Sequence, residues 1–146
     1  MKAITICIDA EPVAQGRGKA FVRRDGRAGI YDPVKSRNWK ELVRTAATAQ
    51  ASKDDWDVYH GAVEMFIYTH IPIPKSWSSV KKERAKRGDV APISRPDVSN
   101  YAKGIEDALN GVIYQDDSQI TKLTVSKEYS DKPGVIVRVE KMGIVL

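Results

Sequence analysis

Residues 61–71 carry the most informative pattern for the fold, because apolar and polar side chains alternate along GAVEMFIYTHI. Val63, Met65 and Ile67 fall on one face of an extended chain, and Phe66 falls on the other. A repeat of two residues is typical of a strand that turns one face toward a hydrophobic core. The segment therefore predicts a central strand, around which the remaining elements can be placed.

Two further β elements are predicted before this strand. Residues 2–9 alternate in the same way and predict a strand, in which the single cysteine, Cys7, is expected to be a small buried hydrophobe. Asp25 and Gly26 form a favourable two-residue hairpin turn, so residues 19–31 predict a small basic β-ribbon. One cysteine excludes a disulfide within the chain and a cysteine-rich zinc site.

A long helix is predicted between the ribbon and the central strand. Asp32 suits the N-cap and Pro33 the first helical position, and the helical pattern continues to about Ala51. Its apolar stripe is expected to comprise Trp39, Leu42, Val43, Ala46 and Ala49. After the central strand, residues 71–74 should stop regular pairing, because each proline in them lacks an amide donor.

Two helices are predicted in the second half of the chain. A short basic helix is expected over residues 79–87, where the lysines and arginines are compatible with either a solvated face or a DNA contact. A second main helix covers about 98–110, with Asp97 at its N-cap and Gly111 placed to terminate it.

Strands near 119–129 and 134–141 close the chain, and the element order predicts one α+β domain over residues 1–146. We expect a single, mostly antiparallel or mixed β-sheet with the two main helices packed on one face. No apolar run approaches the roughly 20 residues that a membrane span requires. Nothing resembles a signal peptide, so a soluble, cytoplasmic protein is expected.

Acidic and basic side chains gather around the second main helix. At about 100° per residue, Asn100 and Lys103 lie opposite its apolar side, and Asp97 lies at its N-terminal end. The chain reverses after this helix, so Asp116 and Asp117 are expected to return toward it. The same residues are compatible with an ordinary surface helix followed by a turn.

A magnesium site is the chemical hypothesis that these residues favour. Mg²⁺ prefers carboxylate oxygens and keeps several waters, which suits aspartates without a cysteine or histidine cluster. We predict Asp97 and Asp117 as metal ligands, with Asp116 as a ligand or its support. Lys103 would neutralise charge that develops on a phosphate, and Asn100 would orient a ligand or contact phosphate.

The combined pattern resembles the core signature of the RusA-type endonucleases, which are Holliday-junction resolvases. The matching residues are Pro96-Asp97-Val98-Ser99-Asn100, Lys103, Asp107-Ala108-Leu109-Asn110-Gly111 and Asp116-Asp117-Ser118-Gln119, with Glu11 to Arg17 and Tyr31-Asp32-Pro33 in the N-terminal half. The resemblance implies a homodimer, of bacterial or phage origin, that binds four-way DNA junctions in recombination and repair. It implies two symmetric nicks made with Mg²⁺, or with Mn²⁺, and catalytic roles for Asp97, Lys103 and Asp117.

Ser99 departs from the family pattern, since the best-known members have an aspartate at this position. A serine hydroxyl is a weak neutral ligand, so the site loses one negative charge, for which Asp116 or Glu106 are candidates to compensate. Ser99 and Asn100 are therefore predicted as supporting residues. The open alternatives are a branched-DNA-binding protein without turnover and a nuclease of the same fold that acts on flaps.

The charge of the chain agrees with a polyanionic partner. Its 24 lysines and arginines exceed its 19 aspartates and glutamates, which gives a formal net charge of +5. Residues 16–28 form a basic arm, in which the predicted DNA contacts are Arg17, Lys19, Arg23, Arg24 and Arg27. The arm could also be a solubilising loop, and Phe21 and Trp77 are expected either to pack or to stack on unpaired bases. Two symmetric incisions require two sites related by a twofold axis, hence a homodimer.

Overall fold

A computed structural model of the chain describes residues 2–16 and 18–143. In chain order its elements are β1 (Ala3–Ile8), β2 (Lys19–Val22), β3 (Ala28–Tyr31), α1 (Val34–Lys53), β4 (Val63–Pro72), α2 (Ser79–Lys86), α3 (Val98–Leu109), β5 (Ile120–Ser130) and β6 (Gly134–Lys141). A single turn of 3-10 helix, Asp117–Gln119, precedes β5. The predicted α+β class is confirmed.

The main sheet has four strands in the order β1-β6-β4-β5. Strand β6 pairs antiparallel with both β1 and β4, whereas β4 and β5 are parallel, so the sheet is mixed. Its register places Ile6, Val137, Ile67 and Val125 in one row across the four strands. The first three are buried and Val125 packs against them, so this row marks the centre of the core.

Helices α1 and α3 cover the face of the sheet on which this row lies, as predicted. The apolar stripe predicted for α1 is partly wrong, because Leu42 is 45% exposed and Ala49 is exposed as well. The buried positions of α1 are Ser36, Trp39, Val43, Ala47 and Ala51, which advance by three or four residues. The hydrophobic spacing is compatible with both the predicted and the observed set of buried positions. Packing against α3 and β1 selects the observed set. No helix in the described residues is long and apolar enough to cross a membrane.

Three local predictions need correction. Cys7 is exposed, because strand alternation places it on the face opposite to Ile6 and Ile8. Pro33 is the N-cap residue of α1 and not its first helical residue, and no side chain caps this end. Strand β4 continues through Pro72, which still aligns with β5 after the pairing with β6 has ended at His70.

The predicted β-ribbon is confirmed, with β2 and β3 forming a separate two-stranded antiparallel sheet. Its turn is longer than expected, because Arg23 N–H donates to the Arg27 carbonyl and Gly26 N–H donates to the Arg23 carbonyl. Gly26 has a φ of +82°, a conformation that glycine adopts without strain. Three residues, 24–26, therefore lie between the paired Arg23 and Arg27. We call residues 19–31 the ribbon from here on.

Two glycine-to-alanine substitutions test this packing. A methyl group at Gly134 would lie 2.7 Å from the Ile8 carbonyl oxygen of β1, so Gly134→Ala is expected to destabilise the fold by about 1–3 kcal/mol. The matched control is Gly104→Ala within α3, where the nearest atom would be 3.8 Å away. Removal of a helical glycine there should stabilise by up to about 1 kcal/mol. Urea unfolding measures both, and equal free energies of unfolding for the two variants would contradict the packing described.

Candidate active site

Asp97 lies at the N-terminal end of α3, as predicted. It is the N-cap residue, but its side chain makes no capping hydrogen bond and is exposed to solvent. The backbone carbonyl of Asp97 instead accepts the Asn100 and Tyr101 amides. The carboxylate is therefore free for a ligand, at the helix end where the dipole favours negative charge.

Two other parts of the chain hold this end of α3 in place. Lys127 of β5 donates from Nζ to the carbonyl oxygens of Ser94 and Pro96, at 2.8 and 2.9 Å, directly before Asp97. The backbone N–H of Gln15 donates to the backbone carbonyl of Asn100 at 2.9 Å. Asp97 is thus positioned by a strand of the sheet and by the loop that follows β1.

Asp117 lies at the other end of the helix. Asn110, the C-cap residue of α3, donates from Nδ2 to Asp117 Oδ1 at 3.3 Å. Arg44 of α1 donates to the Asn110 carbonyl at 2.9 Å and so satisfies one of the free carbonyls at this end. The reversal predicted at Gly111, where φ is +77°, therefore brings Asp117 back to the C-terminal end of α3.

Asp116 and Gln119 form the turn that carries Asp117. Asp116 Oδ2 accepts the Ser118 amide, and Gln119 Oε1 accepts the Asp116 amide, which together make a capping box. Hydrogen bonding from Ser118 holds the pKa of the Asp116 carboxyl below its usual range. Gln119 Nε2 also donates to the carbonyls of Tyr59 and Gly61, so the turn is anchored at the start of β4.

These positions correct the expectation that Asp97 and Asp117 meet around one ion within a chain. The 12 residues of α3 span roughly 18 Å at about 1.5 Å per residue, and the two carboxylates lie at opposite ends of it. Within residues 2–16 and 18–143, no group of three or more His, Cys, Asp or Glu side chains is arranged to hold a metal ion. The assignment of both residues as ligands stays a prediction.

A row of polar side chains runs along α3 between the two ends. Ser99, Lys103, Glu106 and Asn110 recur at spacings of four and three residues, so they share one side of the helix. Burial raises the pKa of the Glu106 carboxyl, the charges of Asp117 and Asp107 raise it further, and Lys103 opposes them. Negative charge is therefore concentrated at the Asp117 end, with the predicted lysine beside it.

Tyr114 lies beside this concentration of charge. It is fully buried, and its hydroxyl donates to the Glu106 carbonyl at 2.8 Å. Burial raises the pKa of the Tyr114 hydroxyl, and the nearby carboxylates, Glu106 foremost, raise it further. The phenol therefore stays protonated at neutral pH and remains a hydrogen-bond donor.

Sequence reasoning missed a second charged group, centred on Lys40 of α1. Its Nζ lies 2.9 Å from Asp32 Oδ2 and 3.6 Å from Asp107 Oδ2, and all three side chains are partly shielded from solvent. Although burial opposes it, hydrogen bonds from Lys40 and Gln15 hold the pKa of the Asp32 carboxyl below its usual range. Asp107 is far from the other two residues in sequence, so no local spacing could have indicated the group.

The predicted DNA-contacting residues lie apart from α3, on the ribbon. Arg23, Arg24 and Arg27 are exposed at its tip, where Arg27 makes a weak ion pair of 3.9 Å with Asp25. Arg17 lies outside the described residues, and for Lys19 only its place as the first residue of β2 is described. The structure therefore places four of the five predicted basic residues on the ribbon, three of them exposed at its tip.

A comparison with protein families matches residues 9–140 to the family described as Endodeoxyribonuclease RusA. The chain belongs to the RusA family. It is also 40% identical over 145 residues to a Bacillus subtilis (strain 168) protein named "Uncharacterized protein YqaN", covering 98% of this chain and 99% of the relative. The matched range contains α3, the acidic turn and the whole ribbon.

The electrostatic coupling at the Asp117 end can be tested in this RusA-family chain without any measurement of activity. Replacement Asp117→Asn removes one of the two like charges acting on Glu106, so the pKa of Glu106 should fall, while burial still holds it above its ordinary value. Carboxyl-carbon NMR titration measures it. Asp25→Asn at the ribbon tip is the control, and an unmoved Glu106 titration in Asp117→Asn would place Asp117 elsewhere.

Proposed function

We propose that the chain is a Mg²⁺-dependent endonuclease that resolves four-way DNA junctions by paired symmetric nicks, and that it acts as a homodimer. Membership of the RusA family supports a junction-resolving endonuclease. Phosphodiester hydrolysis with Mg²⁺ can use three side chains along α3: the free carboxylate of Asp97, the carboxylate of Asp117 at the opposite end, and Lys103 between them.

The distance between Asp97 and Asp117 is the observation that supports a dimer with shared metal sites. Mg²⁺ binds its ligands at about 2.0–2.1 Å, so two aspartates that share one ion must lie within about 4 Å of each other. One helix of roughly 18 Å cannot satisfy that distance. Two copies of α3 that run antiparallel about a twofold axis place the Asp97 end of one beside the Asp117 end of the other. We therefore assign the ion to the interface, with two equivalent sites.

Each polar residue of α3 then has a defined task. Asp97 from one protomer and Asp117 from its partner would hold Mg²⁺, which when bound lowers the pKa of water to give a nucleophile for phosphate. Lys103 places a positive charge where negative charge develops on the phosphate. Ser99 and Asn100 are exposed in the first turn, where a hydroxyl and an amide can orient the DNA or a ligand.

The basic ribbon supplies the second part of the proposal. Arg23, Arg24 and Arg27, with Arg17 and Lys19 in the same stretch, would bind DNA phosphates without reading bases. Gln15 donates to Asp32 at 2.7 Å and to the Asn100 carbonyl through its backbone, so the root of the ribbon is fixed beside the start of α3. Phosphate contacts made there place DNA near Asp97.

Ser99 favours a second candidate, a branched-DNA-binding protein without turnover. It stands where the family's best-known members have a carboxylate, so the ion would be held by one negative charge fewer. Synthetic junctions incubated with Mg²⁺ or Mn²⁺ separate the candidates. Paired symmetric nicks support the resolvase, cleavage confined to flaps supports a flap nuclease, and tight binding without product supports the binding protein.

Asp117→Asn is expected to reduce junction cutting in Mg²⁺ by on the order of 10²-fold or more, because a metal ligand is lost. Junction affinity should be unchanged or higher, since a negative charge near phosphate is removed. Denaturing gels measure cutting and gel shifts measure binding. Asp131→Asn, in the exposed turn between β5 and β6, is the control and should cut normally. Retained cutting by Asp117→Asn would refute the assignment.

Arg23→Ala combined with Arg24→Ala is expected to weaken junction binding and to flatten its dependence on salt. Each lost phosphate contact removes about 0.9 from the slope of log affinity against log salt. Arg138→Ala is the control, because the Arg138 guanidinium is already paired with Glu140 at 2.8 Å. Fluorescence anisotropy at several salt concentrations gives the slopes, and an unchanged slope in the double variant would place the phosphate contacts outside the ribbon tip.

A further inference from the structure

The ribbon is an arm whose base is held by hydrogen bonds. Gln15 Nε2, just before it, donates to Asp32 Oδ1, just after it, which closes its base. The Gly16 amide donates to Ser36 Oγ at 2.8 Å, and Ser36 is buried in α1. From this base β2 and β3 extend outward and contact chiefly each other. The direction of the arm is therefore set by α1 and by the start of α3.

The two faces of the ribbon differ in how their side chains are used. Phe21 covers Gly29 on the facing strand, where an added Cβ would lie 2.6 Å from the Phe21 ring. Its ring also packs against Tyr31 at 5.9 Å, and the Arg23 guanidinium lies 5.9 Å from its centroid. Phe21, a stacking candidate in the sequence, is thus engaged in contacts within the ribbon.

The opposite face is apolar and uncovered. Strand register places Ala20 opposite Ile30 and Val22 opposite Ala28, so these four side chains share one face. Val22 is 76% exposed and Ile30 is 78% exposed. Two large β-branched side chains at such exposure form a surface that a partner would shield from water.

Charge decides between the kinds of partner. Arg23, Arg24 and Arg27 lie at the tip, beyond the end of the apolar face, and Asp25 is the acid among them. The Arg23 guanidinium lies on the Phe21 side of the ribbon. An apolar face that ends in a basic tip fits DNA, in which aliphatic side chains can insert between base pairs while arginines hold the flanking phosphates. A second copy of this chain carries the same positive charge on its ribbon and would be repelled there.

We propose that the Val22–Ile30 face of the ribbon inserts at the branch point of a DNA junction and contacts the ends of the base-pair stacks. This inference rests on the proposed function and deepens it, because it names the part of the substrate that the arm recognises. Continuous duplex must be unstacked before a side chain can enter, which costs free energy at each base-pair step. A branch point interrupts the stacks, so insertion there favours junctions over duplex without any reading of sequence.

The test replaces Val22 and Ile30 by threonine, which keeps β-branching and removes apolar surface. Affinity is measured for a four-way junction and for a duplex of the same sequence, and 2-aminopurine at the branch point reports unstacking. Val22→Thr with Ile30→Thr is expected to bind the junction about tenfold more weakly, to bind duplex unchanged and to lose much of the 2-aminopurine signal. The matched control is Val34→Thr with Ile93→Thr, at sites 57% and 93% exposed, and should match the unaltered protein.

Several outcomes would overturn the inference. One is a variant with unchanged junction affinity and an unchanged 2-aminopurine signal. Another is a loss of affinity that is equal for junction and duplex. A third is dissociation of the dimer into monomers, measured by light scattering, which would make the face a contact between copies. Ile30→Thr alone is the second variant if the double variant melts early. Failure of the proposed function is distinguishable, because then the unaltered protein neither cuts junctions nor prefers them to duplex.

Discussion

Helix α3 is the rigid body on which the candidate site depends. Tyr101, Ile105, Ala108 and Leu109 bury one side of it in the core, so it can neither rotate nor bend without exposing them. Its polar side and both ends are consequently fixed relative to the sheet. Asp97 and Asp117 are held apart by the length of the helix, and this distance makes a site within one chain incompatible with a shared ion.

The charges along α3 have opposite relations to the helix dipole. Asp97 lies at the N-terminal end, which favours an anion, whereas Glu106 and Asp117 lie near the C-terminal end, which disfavours one. Burial raises the pKa of the Glu106 carboxyl, and the charges of Asp117 and Asp107 raise it further. A cation bound at this end would relieve the repulsion between these carboxylates, which the fold has already placed close together. Lys40, paired with Asp32 and Asp107, and the exposed Lys103 supply positive charge nearby.

Much of the fold followed from sequence because it rests on local patterns. Alternation of apolar residues predicted the strands, and the cap and glycine around α3 predicted its bounds. The stripe predicted for α1 included both Leu42 and Val43, and only the packing against α3 and β1 shows that Val43 is buried while Leu42 is exposed. The ribbon turn shows the same limit at short range. A two-residue turn was predicted from Asp25-Gly26, but three residues, 24–26, lie between the paired Arg23 and Arg27.

Candidate residues for the site could be selected from the sequence, but their arrangement in space could not. Asp97, Lys103 and Asp117 could be selected because their types and spacing suit metal-assisted hydrolysis and match a family pattern. Whether the acidic turn reaches the start or the end of α3 depends on the Asn110–Asp117 hydrogen bond and on the anchoring of Gln119 to β4. Such long-range contacts have no signature in the spacing of the residues.

Complementation between two inactive variants tests the central claim, that each metal site combines Asp97 of one protomer with Asp117 of its partner. Asp97→Asn and Asp117→Asn chains carrying different tags would be co-expressed and purified as mixed dimers. In such a dimer one interfacial site has both substitutions and the other has neither. We predict nicking at about half of the wild-type rate, in one strand per junction, while each parent is inactive. Mixed dimers as inactive as their parents would contradict the account.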